Sequence, residues 1–146
     1  MQRMLALIVL SSLLLGCVQP QEGTHYGYGE EFKLRINQTA SVGDDGLSVT
    51  FGGVSEDSRC PSDVVCIWAG RVSVDLKVIK NSDGPEPGFL IPIQLTKGQG
   101  NDSASFSDSG GRTYLVKLAG VEPYPRSDEP RNASAYVATL TLSKAG

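Results

Sequence analysis

Hydrophobic and polar residues alternate along most of the chain that follows residue 30. The clearest example is residues 72–78, where valine and leucine take every second position and polar residues lie between them. Because successive side chains of a β-strand point to opposite faces, this period of two predicts a strand with one buried face. The same alternation is found at residues 32–36, 47–51, 89–95, 114–118 and 136–142.

Two further segments are predicted to be strands on a weaker pattern. Residues 64–68 form a short, mostly apolar run that predicts a buried strand, and residues 103–107 alternate weakly. Pro92 interrupts the run at residues 89–95, which indicates an edge strand or a bulge, because proline cannot donate a ladder hydrogen bond.

Turn-forming residues separate these runs, and no helical period is found after residue 30. Asp-Asp-Gly at residues 44–46 and paired glycines at 52–53 and 110–111 are typical of tight turns. Seven or eight short strands with such turns predict an all-β domain, an immunoglobulin-like antiparallel β-sandwich. A small β-barrel is the alternative, because strand count alone does not distinguish two stacked sheets from one closed sheet.

The N-terminus has a different pattern, in which Arg3 precedes a mostly apolar run at residues 4–15. A membrane-spanning helix needs about 20 apolar residues, so this shorter run predicts the hydrophobic region of a signal peptide. The run ends in Leu-Leu-Gly-Cys, which resembles the lipobox of prokaryotic lipoproteins. The resemblance implies cleavage before Cys17 and a diacylglycerol on its thiol. The alternative is an ordinary secretory signal that contains a cysteine.

The chain is therefore predicted to have three parts: residues 1–16 as a lipoprotein signal peptide, residues 17–30 as the lipidated cysteine and a flexible tether, and residues 31–146 as the β-sandwich. Tyr26 and Tyr28 are unusual in a spacer, and they are expected either to pack on the domain or to lie at the membrane interface. The predicted location is extracytoplasmic, lipid-anchored to a prokaryotic membrane, since two acyl chains give stable anchoring.

The cysteine count supports this division. If Cys17 carries lipid, Cys60 and Cys66 remain as an even pair in an oxidising compartment, which predicts a disulfide. A metal site on this pair is the alternative. Five residues separate the two cysteines, however, unlike the usual zinc pairs, and His25 lies far away in the sequence. No metal or other cofactor is predicted.

Residues 57–70, DSRCPSDVVCIWAG, resemble a block of small, uncharacterised prokaryotic lipoproteins and secreted proteins. Their pattern is Arg-Cys-Pro, a second cysteine after a short spacer, then Trp and Gly leading into a strand. The resemblance implies secretion, a disulfide and a β-rich fold, and it carries no established activity. Within the block, Pro61 and the disulfide are expected to fix a turn, with Trp68 buried beside it as in many sandwich cores.

Charge and residue types exclude several functions. The chain has 13 Lys and Arg against 16 Asp and Glu, a net charge of −3; removing residues 1–16 removes Arg3 and no acid, so 12 − 16 gives −4. This balance argues against a nucleic-acid partner, because phosphate binding needs clustered basic residues. The single His25 lies in the predicted tether, and no G-x-S-x-G motif occurs, so no catalytic residue is predicted.

Two loops carry candidate binding residues. Arg59 and Asp63 are a candidate charged pair displayed on the fixed turn, and the alternative is ordinary solvated surface charge. Residues 120–132 contain three prolines together with Tyr124, Arg126 and Arg131, a mixture suited to recognition. The alternative for this segment is a plain crossover between two sheets.

Three sequons make Asn37, Asn101 and Asn132 candidate N-glycosylation sites, used only where the source organism has the machinery. The expected function is that of a lipid-anchored cell-envelope protein with a non-catalytic binding or structural domain. Its expected partners are the membrane, through the anchor, and an envelope protein or polysaccharide. An inhibitor of secreted peptidases is the first alternative, and a small carboxylate-dependent hydrolase is the second.

Overall fold

Two β-sheets pack face to face around one apolar core. The computed structural model describes residues 24–81, 89–98 and 100–145. Nine strands lie in these residues: β1 His25–Tyr26, β2 Glu31–Arg35, β3 Thr39–Val42, β4 Leu47–Asp57, β5 Val72–Lys80, β6 Phe89–Lys97, β7 Ser103–Ser107, β8 Thr113–Glu122 and β9 Val137–Lys144. One short 3₁₀ helix, Ala133–Ala135, precedes β9.

The predicted β-sandwich is confirmed. One sheet has the order β1-β3-β4-β5-β6 and the other has the order β2-β9-β8-β7, so the described strands form two separate sheets rather than a closed barrel. β3 to β6 form one antiparallel meander, and β7 to β9 form a second with β2 added beside β9. This strand order differs from that of an immunoglobulin constant domain, whose strands are divided ABED and CFG between the two sheets.

The core follows from the alternation in the sequence. On β5, Val74, Leu76 and Val78 are buried, while Asp75 and Lys77 between them are exposed. Each such side chain stabilises the fold by about 1.5–3 kcal/mol relative to leaving it in water. The largest fully buried side chains come from both sheets: Tyr114, Phe32, Phe51, Leu34, Leu47, Leu76, Leu95, Leu118, Leu140 and Leu142.

Two predictions about individual strands are confirmed. β6 is one of the two edge strands of the five-stranded sheet, and its Pro92 is exposed opposite Lys77, where no further strand needs a hydrogen-bond donor. The weakly patterned residues 103–107 form β7, which pairs with β8 at the outer edge of the second sheet.

The prediction of a buried strand at residues 64–68 is wrong. The β4–β5 ladder stops at the pair Asp57–Val72, so the residues between them lie beyond the sheet. The two sides of this loop lie close together, with Gly70 against Ser58. A Cβ on Gly70, whose φ is +71°, would lie 1.9 Å from the Ser58 carbonyl oxygen, so only glycine fits there. Trp68 is 75% exposed rather than buried beside the disulfide.

The predicted tether is wrong in its last part, because Thr24 to Glu30 lie on the domain. β1 pairs in parallel with β3, and the Gly29 N–H donates to the Leu142 carbonyl at 2.8 Å. Tyr26 stacks on Phe32 with ring centroids 5.2 Å apart. Tyr28 also packs against the core, so close to Gly43 that a Cβ there would lie 2.0 Å from the ring.

The predicted signal peptide, the lipobox and Cys17 lie outside the described residues. Within residues 24–81, 89–98 and 100–145, no helix is long and apolar enough to cross a membrane. The first described strand, β1, lies at one edge of the five-stranded sheet.

Candidate binding surface

Large apolar side chains are exposed together at one end of the sandwich. We call Val64, Val65, Ile67 and Trp68 the apolar tip; their exposed fractions are 44%, 102%, 96% and 75%. Tyr124, from the loop after β8, is also half exposed. Clustered exposure of this kind marks a site of interaction, since single apolar residues scattered over a surface are ordinary.

A disulfide closes the loop that carries the apolar tip. Cys60 and Cys66 are bonded, as predicted, so that the tip residues lie within or directly after a small ring. The Cys60 N–H donates to the Ala69 carbonyl at 2.9 Å, which ties the two limbs of the loop together below the tip. The tip is therefore held in shape although its side chains have little packing of their own.

The disulfide loop also rests on the proline-containing loop after β8. The Ser62 N–H donates to the Pro125 carbonyl at 2.9 Å. Asp63 accepts hydrogen bonds from both the backbone N–H and the hydroxyl of Ser127. These bonds hold the pKa of Asp63 below its usual value. Asp63, predicted as half of a displayed charged pair, instead joins one loop to the other.

Arg59, predicted as the other half of that pair, is buried beneath the loops. Its side chain is 8% exposed and makes a bidentate contact with Asp57, with Nε–Oδ1 at 2.9 Å and Nη2–Oδ2 at 2.7 Å. It also donates to the carbonyls of Val121 at 2.6 Å and Pro123 at 3.1 Å. Its guanidinium lies 4.8 Å from the centroid of the Tyr124 ring.

The carboxylate of Asp57 compensates the buried positive charge of Arg59. Its side chain is 4% exposed, and it accepts hydrogen bonds from Arg59 and from the Tyr136 hydroxyl at 2.9 Å. Burial alone would raise the pKa of Asp57, but the bonds from Arg59 and Tyr136 outweigh burial and lower it. A carboxylate held ionised and surrounded by donors is a structural group, not a proton donor.

The other predicted loop residues lie around a shallow crevice. Arg126 is exposed and pairs with Asp128 at 3.1 Å, and Arg131 donates to the backbone carbonyl of Asp57. A crevice of about 190 Å³ lies between the loop after β8 and Tyr136, and its lining includes Tyr124, Arg126 and Arg131. Predicted residues Tyr124, Arg126 and Arg131 thus share one region, beside the apolar tip rather than within it.

Sequence reasoning missed Asp57 and Tyr136 as parts of this region. One signal was present: Asp57 and Arg59 are two positions apart, and residues so spaced in an extended chain point to the same side. No feature of the sequence around Arg59 indicates that it donates to the carbonyls of Val121 and Pro123, which are 62 and 64 positions away. Tyr136 is likewise 79 residues from Asp57.

The opposite end of the sandwich carries a second cluster of buried charge. Asp45 and Asp108 both lie within hydrogen-bond distance of the Tyr114 hydroxyl, at 3.1 and 3.2 Å. Lys144 lies 3.1 Å from Asp45, and Arg112 lies 3.0 Å from Asp108. The pKa of Asp45 is lowered, mainly by the hydrogen bond from Lys144. Burial alone would raise the pKa of Asp108, but Arg112 and Tyr114 outweigh burial and lower it. Neither carboxyl is therefore suited to donate a proton near neutral pH.

The three predicted glycosylation sites are exposed in turns and loops. Asn37 lies between β2 and β3, Asn101 precedes β7, and Asn132 precedes the 3₁₀ helix. The Asn132 side chain caps that helix by accepting from the Ser134 N–H at 3.1 Å. Access for a glycan exists at each position, and the modification itself stays a prediction.

Comparison with protein-family models, with curated proteins and with solved structures finds no match to this chain. Function is therefore inferred from its own residues. In the described part of the chain, no group of three or more His, Cys, Asp and Glu side chains is arranged to hold a metal ion. The feature that distinguishes this surface is the apolar tip above the Asp57–Arg59 pair.

Replacing Arg59 with Ala tests the role of the buried pair. The substitution leaves Asp57 buried without its cation, so we expect the free energy of unfolding to fall by about 3–5 kcal/mol. Arg126→Ala, which removes an exposed pair in the neighbouring loop, should cost only about 0–1 kcal/mol. Urea unfolding of the two variants measures the difference. Equal losses would contradict a structural role for the buried pair.

Proposed function

We propose that this protein is a lipid-anchored component of a prokaryotic cell envelope whose β-sandwich is a non-catalytic binding domain. The observation that carries the proposal is the apolar tip, displayed on a loop that is fixed by a disulfide and by hydrogen bonds to a second loop. An exposed tryptophan, isoleucine and two valines contribute little to the core, so their presence on a fixed loop favours a role in binding.

The construction of the loop supports this proposal in energetic terms. Binding costs free energy when side chains and loops must become ordered at the interface. The Cys60–Cys66 disulfide and the Ser62–Pro125 hydrogen bond order this loop before any ligand arrives. Tryptophan is also among the residues that most often dominate binding energy at interfaces.

The charged groups support a binding domain over an enzyme. The buried carboxylates of Asp45, Asp57 and Asp108 are each paired with a cation, and each has a lowered pKa. His25 is more than half exposed at the outer edge of the sheet, 3.8 Å from the exposed Asp44. A carboxylate-dependent hydrolase needs a carboxyl whose pKa is raised, and these described residues do not provide one.

The anchor rests on the N-terminal sequence. Leu-Leu-Gly-Cys follows a signal-like apolar run, and Thr24, seven positions after Cys17, already accepts a hydrogen bond from the Ser41 N–H of β3. A diacylated Cys17 would hold the protein on an extracytoplasmic membrane surface, within reach of envelope proteins and polysaccharides as well as of the bilayer.

Inhibition of secreted peptidases is a second candidate, favoured by one observation. The apolar tip projects on a fixed loop whose two sides are hydrogen-bonded to each other and which a second loop supports. A projecting loop of this kind is suited to enter the cleft of a peptidase. Stoichiometric inhibition of a secreted peptidase that is lost in Trp68→Ala would favour this candidate over a general binding role.

The tip should be dispensable for folding if its purpose is binding. We expect Ile67→Ser to change the free energy of unfolding by less than about 0.5 kcal/mol, because Ile67 is exposed. Ile93→Ser is the matched control: Ile93 is 8% exposed in the core, and the same exchange should cost about 2 kcal/mol or more. Thermal or urea unfolding measures both. A comparable loss in Ile67→Ser would show that the tip serves the fold instead.

The anchor is tested by metabolic labelling with a radioactive or clickable fatty acid. We expect the wild type to incorporate label and Cys17→Ser to incorporate none, because the acylated thiol is absent. A Cys60→Ser/Cys66→Ser double variant keeps Cys17 and should remain labelled. Equal labelling of the wild type and Cys17→Ser would overturn the anchor.

A further inference from the structure

The second sheet ends at β7, whose outer edge has no neighbouring strand among the described residues. Two bonds show which backbone groups of β7 face β8 and which face outward. The Leu118 N–H donates to the Asp102 carbonyl at 2.7 Å, and the Asp108 N–H donates to the Arg112 carbonyl at 2.9 Å. Because bonding positions alternate along an antiparallel strand, the even-numbered residues of β7 bond to β8.

The odd-numbered residues of β7 direct their backbone groups toward the open edge. Ser103, Ser105 and Ser107 each offer one N–H and one C=O there, and none of these groups bonds to another described residue. Their side chains are exposed on the outer face of the sheet. A row of unpaired N–H and C=O groups is a template to which another strand can be added.

The other edge strands carry features that discourage such addition. On β6, Pro92 has no N–H, and the Thr96 N–H already donates to the Asn101 carbonyl at 2.7 Å. β2 exposes three charged side chains, and β1 is only two residues long. Charges, prolines and short length are the usual protection of a sheet edge. β7 reads Ser-Ala-Ser-Phe-Ser, with neither a charge nor a proline.

The sequence of β7 is complementary to a second copy of itself. An antiparallel pair centred on Ser105 would place Ser103 opposite Ser107 of the other copy, and each opposed pair would exchange two backbone hydrogen bonds. On the inner face, Ala104 would lie opposite Phe106 of the other copy, so the small side chain leaves room for the ring. Both residues are only partly buried at the margin of the core, and the added strand would cover them further.

The charges that flank β7 are compatible with this pairing. The arrangement brings Asp102 near Asp108 of the other copy, but each carboxylate already has a cation of its own. Lys97 lies 3.4 Å from Asp102, and Arg112 lies 3.0 Å from Asp108. Within the paired residues themselves no like charges face each other, since all five are uncharged.

We propose that two copies of this chain associate by antiparallel pairing of their β7 strands, which joins two four-stranded sheets into one of eight strands. The contact uses the same edge on both copies, so the assembly closes at two chains. β8 runs toward the loop that supports the apolar tip, and β7 runs away from it. The two apolar tips therefore lie at opposite ends of the dimer. The inference depends neither on the lipid anchor nor on the function of the tip.

Cysteine substitutions on β7 test the register of the pair. They are made in the full chain carrying Cys17→Ser, in which the bonded pair of the disulfide loop leaves the added cysteine as the free thiol. With a thiol cross-linker that spans one pair of opposed residues, we expect Ser105→Cys to form a covalent dimer. Ser103→Cys alone should form severalfold less, because its own copy lies about 13 Å away along the paired strand. Mixing Ser103→Cys with Ser107→Cys should restore the cross-link.

Lysine substitutions test whether this edge causes association. Ser105→Lys sets two positive charges opposite each other, so we expect sedimentation to give the mass of one chain at concentrations where the wild type approaches twice that mass. Ser143→Lys is the matched control: Ser143 lies opposite Leu115, which lies opposite Ser105, so the same exchange is made two strands from the edge. The control should keep the wild-type mass. Urea unfolding of each variant checks that the fold is retained.

Three outcomes would overturn the proposal. The first is a wild type that sediments as one chain at every concentration, with no cross-link in Ser105→Cys. The second is equal cross-linking of Ser103→Cys and Ser105→Cys, which would indicate random collision instead of a fixed register. The third is a double mass that persists in a folded Ser105→Lys variant, which would show that another surface joins the two copies.

Discussion

The bidentate contact between Arg59 and Asp57 is the interaction on which the tip-bearing end of the sandwich depends. It lies where β4 ends, and the same guanidinium reaches two carbonyls that belong to β8 and to the loop after it. One side chain therefore links the two sheets at a point where neither provides ladder hydrogen bonds to the other. A buried ion pair is seldom a large net source of stability, but its geometry is specific, and removing one partner is costly. Its consequence here is a defined arrangement of two loops.

That arrangement explains how the protein can expose a tryptophan and an isoleucine without losing order in the loop. The disulfide closes the ring, the Ser62 and Asp63 contacts attach it to the neighbouring loop, and Arg59 lies beneath both. The side chains of the apolar tip therefore do not need to pack in the hydrophobic core. A fixed apolar projection of this kind suits contact with a binding partner.

The strands and the core were predictable because period-two alternation is a local property that directly reflects the two faces of a sheet. Residues 72–78 and the edge position of Pro92 illustrate this. The apolar run at 64–68 was not predictable, since a short run has the same composition whether it lies in a core or on a displayed loop. The burial of Arg59 depended on carbonyls more than sixty residues away. Tyr26 and Tyr28 are unusual in a spacer, but only the folded sandwich provides the surface against which they pack.

Hydrogen exchange of individual amides in Arg59→Lys tests the central claim most directly. Lysine keeps the positive charge near Asp57 but lacks the planar fork that reaches a carboxylate and two carbonyls together. The account predicts that the amides of Cys60 and Ser62, which donate to Ala69 and Pro125, lose protection while the β4–β5 ladder keeps it. Unchanged protection of these loop amides, or a uniform loss throughout both sheets, would contradict the claim that Arg59 holds the two loops in place.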